Sequence, residues 1–189
     1  MVTGAIGNSV PLSTLTLTNS NGATFSSAVT TGTSVVLTDT VAAQVIRFAG
    51  NLTTPTLTVA AKPFALELLG TSTAITNAAS FLNTGALTLG NDVTNSLTFS
   101  GGLVATAPSD IKAAGTINTN NSAMSLDDNN TALALTTDLI LNSAGGSITL
   151  GGTVNGSAKN LTINAGSGAI TFTGTVGDAG AIGALVANS

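Results

Sequence analysis

Gly146-Ser147-Ile148-Thr149-Leu150-Gly151-Gly152-Thr153-Val154-Asn155-Gly156 and Gly168-Ala169-Ile170-Thr171-Phe172-Thr173-Gly174-Thr175-Val176-Gly177 are near-copies, set 22 residues apart. Each carries an apolar–Thr–apolar triplet. In a strand, that triplet turns its apolar pair to one face and its Thr to the other. Working outward, Leu126, Ile148 and Ile170 are 22 residues apart, and so are Ile117, Leu139 and Leu161. The partners two residues on keep the parity: Leu141, Leu150, Ile163 and Phe172. Two strand positions, separated by gaps of 9 and 13, therefore recur every 22 residues. A fixed period of about 20–50 residues marks a solenoid or a repeat array.

The physical logic is that one such coil cannot bury its apolar face alone. Stacking the next coil pairs the strands in parallel and closes a continuous column of Leu, Ile and Val. Gly, frequent here at 22 residues, and Asn accept the positive φ of tight corners. The expected fold is thus all-β, a right-handed parallel β-helix with coils of about 22 residues, in one domain over 1–189. The competing fold is a β-sandwich adhesin repeat, which also spaces short strands evenly but does not require two positions to recur in strict phase. Gly4-Ala5-Ile6-Gly7 returns as Gly180-Ala181-Ile182-Gly183, an offset of 176, or eight times 22. About eight coils are expected between them. Residues 51–80 keep the period poorly, and an irregular coil or an excursion from the stack is expected there.

Charge is sparse, with 4 basic and 8 acidic residues and a net charge of −4. Nucleic-acid binding needs clustered Lys and Arg, and a polybasic membrane contact needs the same, so neither partner is expected. No run of apolar residues reaches the length of a membrane span, so no insertion is expected. There is no Cys, which leaves no disulfide framework and no thiolate metal site. The first residues lack the basic and apolar regions of a signal peptide. The expectation is a fragment of a larger exported protein.

The quoted stretches, joined by Lys159-Asn160-Leu161-Thr162-Ile163-Asn164-Ala165-Gly166, resemble the repeat region of filamentous-haemagglutinin-like adhesins and autotransporter passengers. The likeness runs from about Ser143 to Val186. It implies a β-solenoid on the bacterial cell surface, with a structural or adhesive role. Implied partners are neighbouring repeats, other copies stacked end to end, and host or surface glycans or proteins. The family's secretion signal and outer-membrane anchor have no counterpart in these residues. A self-assembling extracellular fibre subunit is the alternative, because no capping helix is visible at either end to cover the strand edges.

For catalysis there is no His and no Cys to serve as base or thiol nucleophile. A carbohydrate-active β-helix using two carboxylates would draw on Asp127, Asp128 and Asp138. Such clefts commonly add aromatic platforms, and this chain has only Phe. No enzyme activity, catalytic residue or cofactor is expected. Asp127-Asp128-Asn129-Asn130 is read as Asx side chains capping their own turn. Calcium on Asp127, Asp128 and Asn130 is the alternative, since hard cations take oxygen ligands. Thr-x-Thr pairs at Thr14/Thr16/Thr18, Thr56/Thr58 and Thr171/Thr173/Thr175 are not spaced at the coil period, and Thr is read as a strand former on a solvated face.

Overall fold

In the computed structural model, which describes residues 1–128 and 131–189, the chain forms a parallel β-solenoid of about eight turns. Among the described residues, twenty strands run from Leu12–Leu17 to Leu185–Asn188. Every named strand pairing is parallel, as between Val35 and Leu57 or Ile148 and Ile170. No pair of sandwich sheets is formed among the described residues, so the competing fold is excluded.

Each turn carries three strand positions, stacked into three columns. Column one holds Ile46, Leu66, Leu87, Ile111, Leu133 and Val154 in successive coils. Column two holds Val29, Leu52, Thr73, Leu97, Ile117, Leu141 and Ile163. Column three holds Ala79, Leu103, Met124, Ile148 and Ile170. The third position, Thr153–Asn155 in the reference coil, lies inside the longer of the two gaps and extends the two-strand reading. It is short and carries a single buried apolar residue, Val154, so it shows no alternation.

The inward residues of all three columns form one core. Phe25 stacks on Phe48 in the coil above, with ring centroids 4.9 Å apart. Phe81 meets Phe99 edge-on at 5.8 Å. A buried Leu or Ile contributes about 1.5–3 kcal/mol, so the ladder is held by many such increments rather than by any one contact.

The coil length is not constant. Ile148 pairs with Ile170 and Leu139 with Leu161, both at the expected offset of 22. Leu126, however, pairs with Leu150, and Ile117 with Leu141, each at an offset of 24. The expected neighbours, Ile148 and Leu139, sit two residues out of register. The cause is local. Between the pairs Ala113/Leu135 and Gly115/Leu139, Ala114 stands opposite Thr136, Thr137 and Asp138. Two extra residues keep strand parity, so the same face stays inward.

Residues 51–80 make no excursion. Their strands Leu52–Thr54, Thr56–Val59, Ala65–Leu68, Ser72–Ile75 and Ala79–Ser80 all pair within the stack. What changes is coil length. Arg47 meets Glu67 at an offset of 20 and Leu52 meets Thr73 at 21, while Thr73 meets Leu97 at 24. The inward residues also turn polar. Thr54 and Thr73 are buried, Thr31 donates to Thr54 at 2.6 Å, and Thr73 Oγ1 has no hydrogen-bond partner among the described residues. Both effects erase the apolar period. The recurrence of Gly4–Gly7 at Gly180–Gly183 agrees with the number of turns but not with position. Ile6 bridges Val29 in column two, whereas Gly180 accepts the Gly156 amide at the corner before that column.

Candidate functional site

The outward residues of each column make a wall, and the walls differ. Column three presents Thr16, Val36, Thr58, Ser80, Val104, Ser125, Thr149 and Thr171, one above another. Thr14/Thr16 and Thr56/Thr58 do share this face, two coils apart with Ser34/Val36 between them, a stacking that a search at the nominal coil period misses. Column two presents Thr30, Thr53, Ala74 and Thr98, then Asn118, Asn142, Asn164 and Asn188. Neither row contains a charge.

The four asparagines form a ladder. Asn142 Nδ2 donates to Asn118 Oδ1 at 3.3 Å, and Asn188 Nδ2 to Asn164 Oδ1 at 2.7 Å. Stacked amides of this kind reinforce parallel in-register strands. The sequence carries a signal for it, an apolar–x–apolar–Asn pattern ending at Asn142, Asn164 and Asn188, which the search for apolar pairs passes over.

Charge is confined to column one and the corners. Arg47 and Glu67 are neighbours in the outward row of column one and form a hydrogen-bonded ion pair. That bond raises the pKa of the Arg47 guanidinium. Lys112 pairs with Asp110 at 3.8 Å and Lys62 with Asp39 at 3.6 Å. A hollow of about 310 Å3 lies beside Met1, Gly22, Gln44 and Val45, and Arg47, the charged side chain in its lining, is already paired with Glu67.

The carboxylates named for chemistry are not brought together. Asp127 lies at the corner leading from column three into column one, directly after Met124–Leu126. Asp138 lies beyond the column-one segment of Ala132–Asn142, at the next corner. Asp138 is exposed, and its carboxylate bonds the coil above and not its own turn. Its Oδ1 accepts the Asn160 amide at 2.8 Å and its Oδ2 accepts Asn160 Nδ2 at 3.0 Å. Those bonds hold its pKa below the usual carboxylate range, with a smaller contribution from Lys159. Asp92 is likewise lowered, by the Thr94 amide and hydroxyl.

Asp127 behaves differently. It is 1% exposed and adopts φ +56°. Its Oδ1 accepts the Gly152 amide of the coil above at 2.8 Å, so it braces the neighbouring coil. Asp128 accepts from Thr131 Oγ1 at 3.0 Å. That hydroxyl also lies 2.9 Å from the Pro108 carbonyl in the coil below. Asn130, the third residue named for calcium, lies outside the described residues. Among the described residues no group of three or more His, Cys, Asp or Glu side chains is placed to hold a metal ion.

Comparison with known proteins finds no matching family model, no similar curated protein and no similar solved structure.

Proposed function

We propose that this chain is a rigid structural or adhesive segment of a secreted bacterial cell-surface protein, of the filamentous-haemagglutinin-like or autotransporter-passenger type. The observation that supports it is the pair of uncharged outward rows on columns two and three, rich in hydroxyl, amide and methyl groups. They repeat at the inter-strand spacing of about 4.8 Å along a rod of roughly 40 Å. Such walls suit many shallow contacts with glycans or proteins and keep a rod soluble. The extracellular location and the partners belong to this same reading. It is tested by immobilising the chain against panels of glycans and matrix proteins, with electron microscopy of the free chain. Monodisperse short rods are expected, and any binding should fall when Thr58, Ser125 and Thr149 are each replaced by Lys. Release of reducing sugar from a polysaccharide panel would overturn the reading in favour of a hydrolase.

A second reading, a fibre subunit joined end to end, rests on the asparagine ladder of column two, whose stacked amides suit parallel strands of like copies. A parallel strand with a free edge is a template for another. Long filaments in the same micrographs, shortened by Val186→Pro, would select it.

A further inference from the structure

The corners from column three to column one are unequal in the lower coils. Five residues, 18–22, join Leu12–Leu17 to Ala23–Phe25, and five, 60–64, join Thr56–Val59 to Ala65–Leu68. In the coil between them seven residues, 38–44, join Val29–Leu37 to Val45–Phe48. The flanking strands are held in register from both sides, Leu37 between Leu17 and Val59, and Ile46 between Ala23 and Leu66. The surplus residues therefore stand out from the wall.

They form a short 3-10 turn, Val41–Ala43. Its base is fastened. The Val41 amide donates to the Ser20 carbonyl of the coil below at 2.7 Å, and Thr40 Oγ1 donates to the Gln44 carbonyl at 3.2 Å. Its tip is uncovered: Val41, Ala42, Ala43 and Gln44 are all exposed, Val41 by 49%. The tip is also strained. Ala42 and Ala43 both take left-handed φ, 52° and 55°, against the clash of Cβ with the following carbonyl.

Two other corners share one of these features and are fastened against opening. The strained pair Ser157–Ala158, at φ 46° and 68°, donates both amides to the Gly180 and Ala181 carbonyls of the coil above. The corner 90–95 exposes Val93, but Asn95 Oδ1 accepts the amides of Asn91 and Asp92, and Asp92 Oδ1 accepts the Thr94 amide and hydroxyl. An endoprotease takes its substrate as an extended strand. A folded segment reaches that form by opening locally, and it is cut in proportion to how often it opens. Opening 41–44 releases two left-handed residues and leaves the strands on either side paired.

We propose that 41–44 is a processing site, cut by an endoprotease that accepts small aliphatic residues such as Val41, Ala42 and Ala43. Water adds across one peptide bond and leaves a carboxylate and an amine. The cut ends stay seated, because Val29–Leu37 remains paired with Leu52–Thr54 and Thr56–Val59, and Val45–Phe48 with Ala65–Leu68. Phe25 also stays stacked on Phe48. Cleavage thus turns a covalent joint of the rod into one held by strand pairing, a preset point at which the coil below can be shed. This holds whichever partner the walls of the rod contact.

The test digests the folded whole chain with a small amount of elastase and reads the products by intact-mass spectrometry and size exclusion. The first cut should follow Val41, Ala42 or Ala43, and the two fragments should elute together where the uncut chain does. Deleting Ala42 and Ala43 gives the corner the five residues of its neighbours and should slow that cut by about tenfold or more. A first cut elsewhere in the parent chain, or none under conditions that digest the urea-unfolded chain, would overturn the proposal without any variant having to fold. So would fragments that separate on cutting, or a deletion variant cut in this corner at the parent rate.

Discussion

The coils of residues 111–142 and 143–176 are built from the same triplets, yet they keep register differently. In the upper pair, Leu139/Leu161, Ile148/Ile170 and Val154/Val176 all hold the nominal offset of 22. In the lower pair, Ile111 meets Leu133 at 22, Gly115 meets Leu139 at 24, and Met124 meets Ile148 at 24. Strands in both are short, apolar inside and hydroxyl-bearing outside. The difference lies in what joins them. The glycine corners at 151–152 and 166–168 join the upper coils at the nominal offset, and the Thr136–Asp138 bulge and the corner after Leu126 lengthen the lower ones. Alternation therefore decides which face is inward, and corners decide register.

If that division is right, the largest effect comes from violating the face. Leu141 is fully buried between Ile117 and Ile163, and Ile140 beside it is 39% exposed. Leu141→Asp should cost about 4 kcal/mol or more, because it buries an unpaired charge. Ile140→Asp should cost about 0.5 kcal/mol or less. Urea unfolding of the two variants checks this, and equal losses would break the comparison.

The next effect comes from the corner. A Cβ on Gly152 would lie 2.0 Å from the Thr131 carbonyl oxygen, and the coil above repeats the demand, since one on Gly174 would lie 2.1 Å from the Gly152 carbonyl oxygen. Gly152→Ala should cost about 2–3 kcal/mol, as overpacking against backbone that cannot yield. Limited proteolysis should find the new opening near residues 127–131. A variant as stable as the parent would show that corner length is set elsewhere.

These two cases also explain what was legible beforehand. The parallel solenoid, the pairs Ile148/Ile170 and Leu139/Leu161, and the turn count follow from alternation and a glycine-bounded period. The register of Leu126 and Ile117 does not, because offsets of 22 and 24 preserve the same parity and alternation cannot separate them. Residues 51–80 hid for another reason: Thr54 and Thr73 occupy inward positions where neighbouring coils place Ile75 and Leu97, and the offsets there run from 20 to 24. Asp127 was visible as a turn residue. Its burial was not, because the cover comes from Gly151 and Gly152, a coil later in the chain.

A smaller effect sharpens the lower step. Asn142 bonds to Asn118 across the shifted register. Asn142→Ala should cost about 1 kcal/mol, the usual worth of such a bond, while Thr162→Ala on the same wall should cost less. Denaturant midpoints of both decide it. Equal midpoints would make the ladder a consequence of register and not a support for it.

The smallest effect separates the two corners by pH. Asp138 and Asp127 both bond an amide of the coil above, Asn160 and Gly152 respectively, but one carboxyl is in water and the other is covered. The Asn160 amide and side chain lower the Asp138 pKa, so its folded form binds the proton less tightly than the unfolded form. Its contribution is present above the ordinary Asp pKa and is lost as pH falls below it. Burial pushes the Asp127 pKa up to about 6, so there the sign is reversed, and the window lies between 3.8 and about 6. Lowering pH from 7 to 4.5 should therefore tighten exchange at Gly152 and leave Asn160 unchanged. Lowering it further, below 3.8, should loosen Asn160 while Gly152 stays protected. Asp138→Asn should remove only the second change. If both amides moved together, the corners would be opening as one unit, and the contrast between a covered and an open carboxyl would have no bearing on how these coils are held.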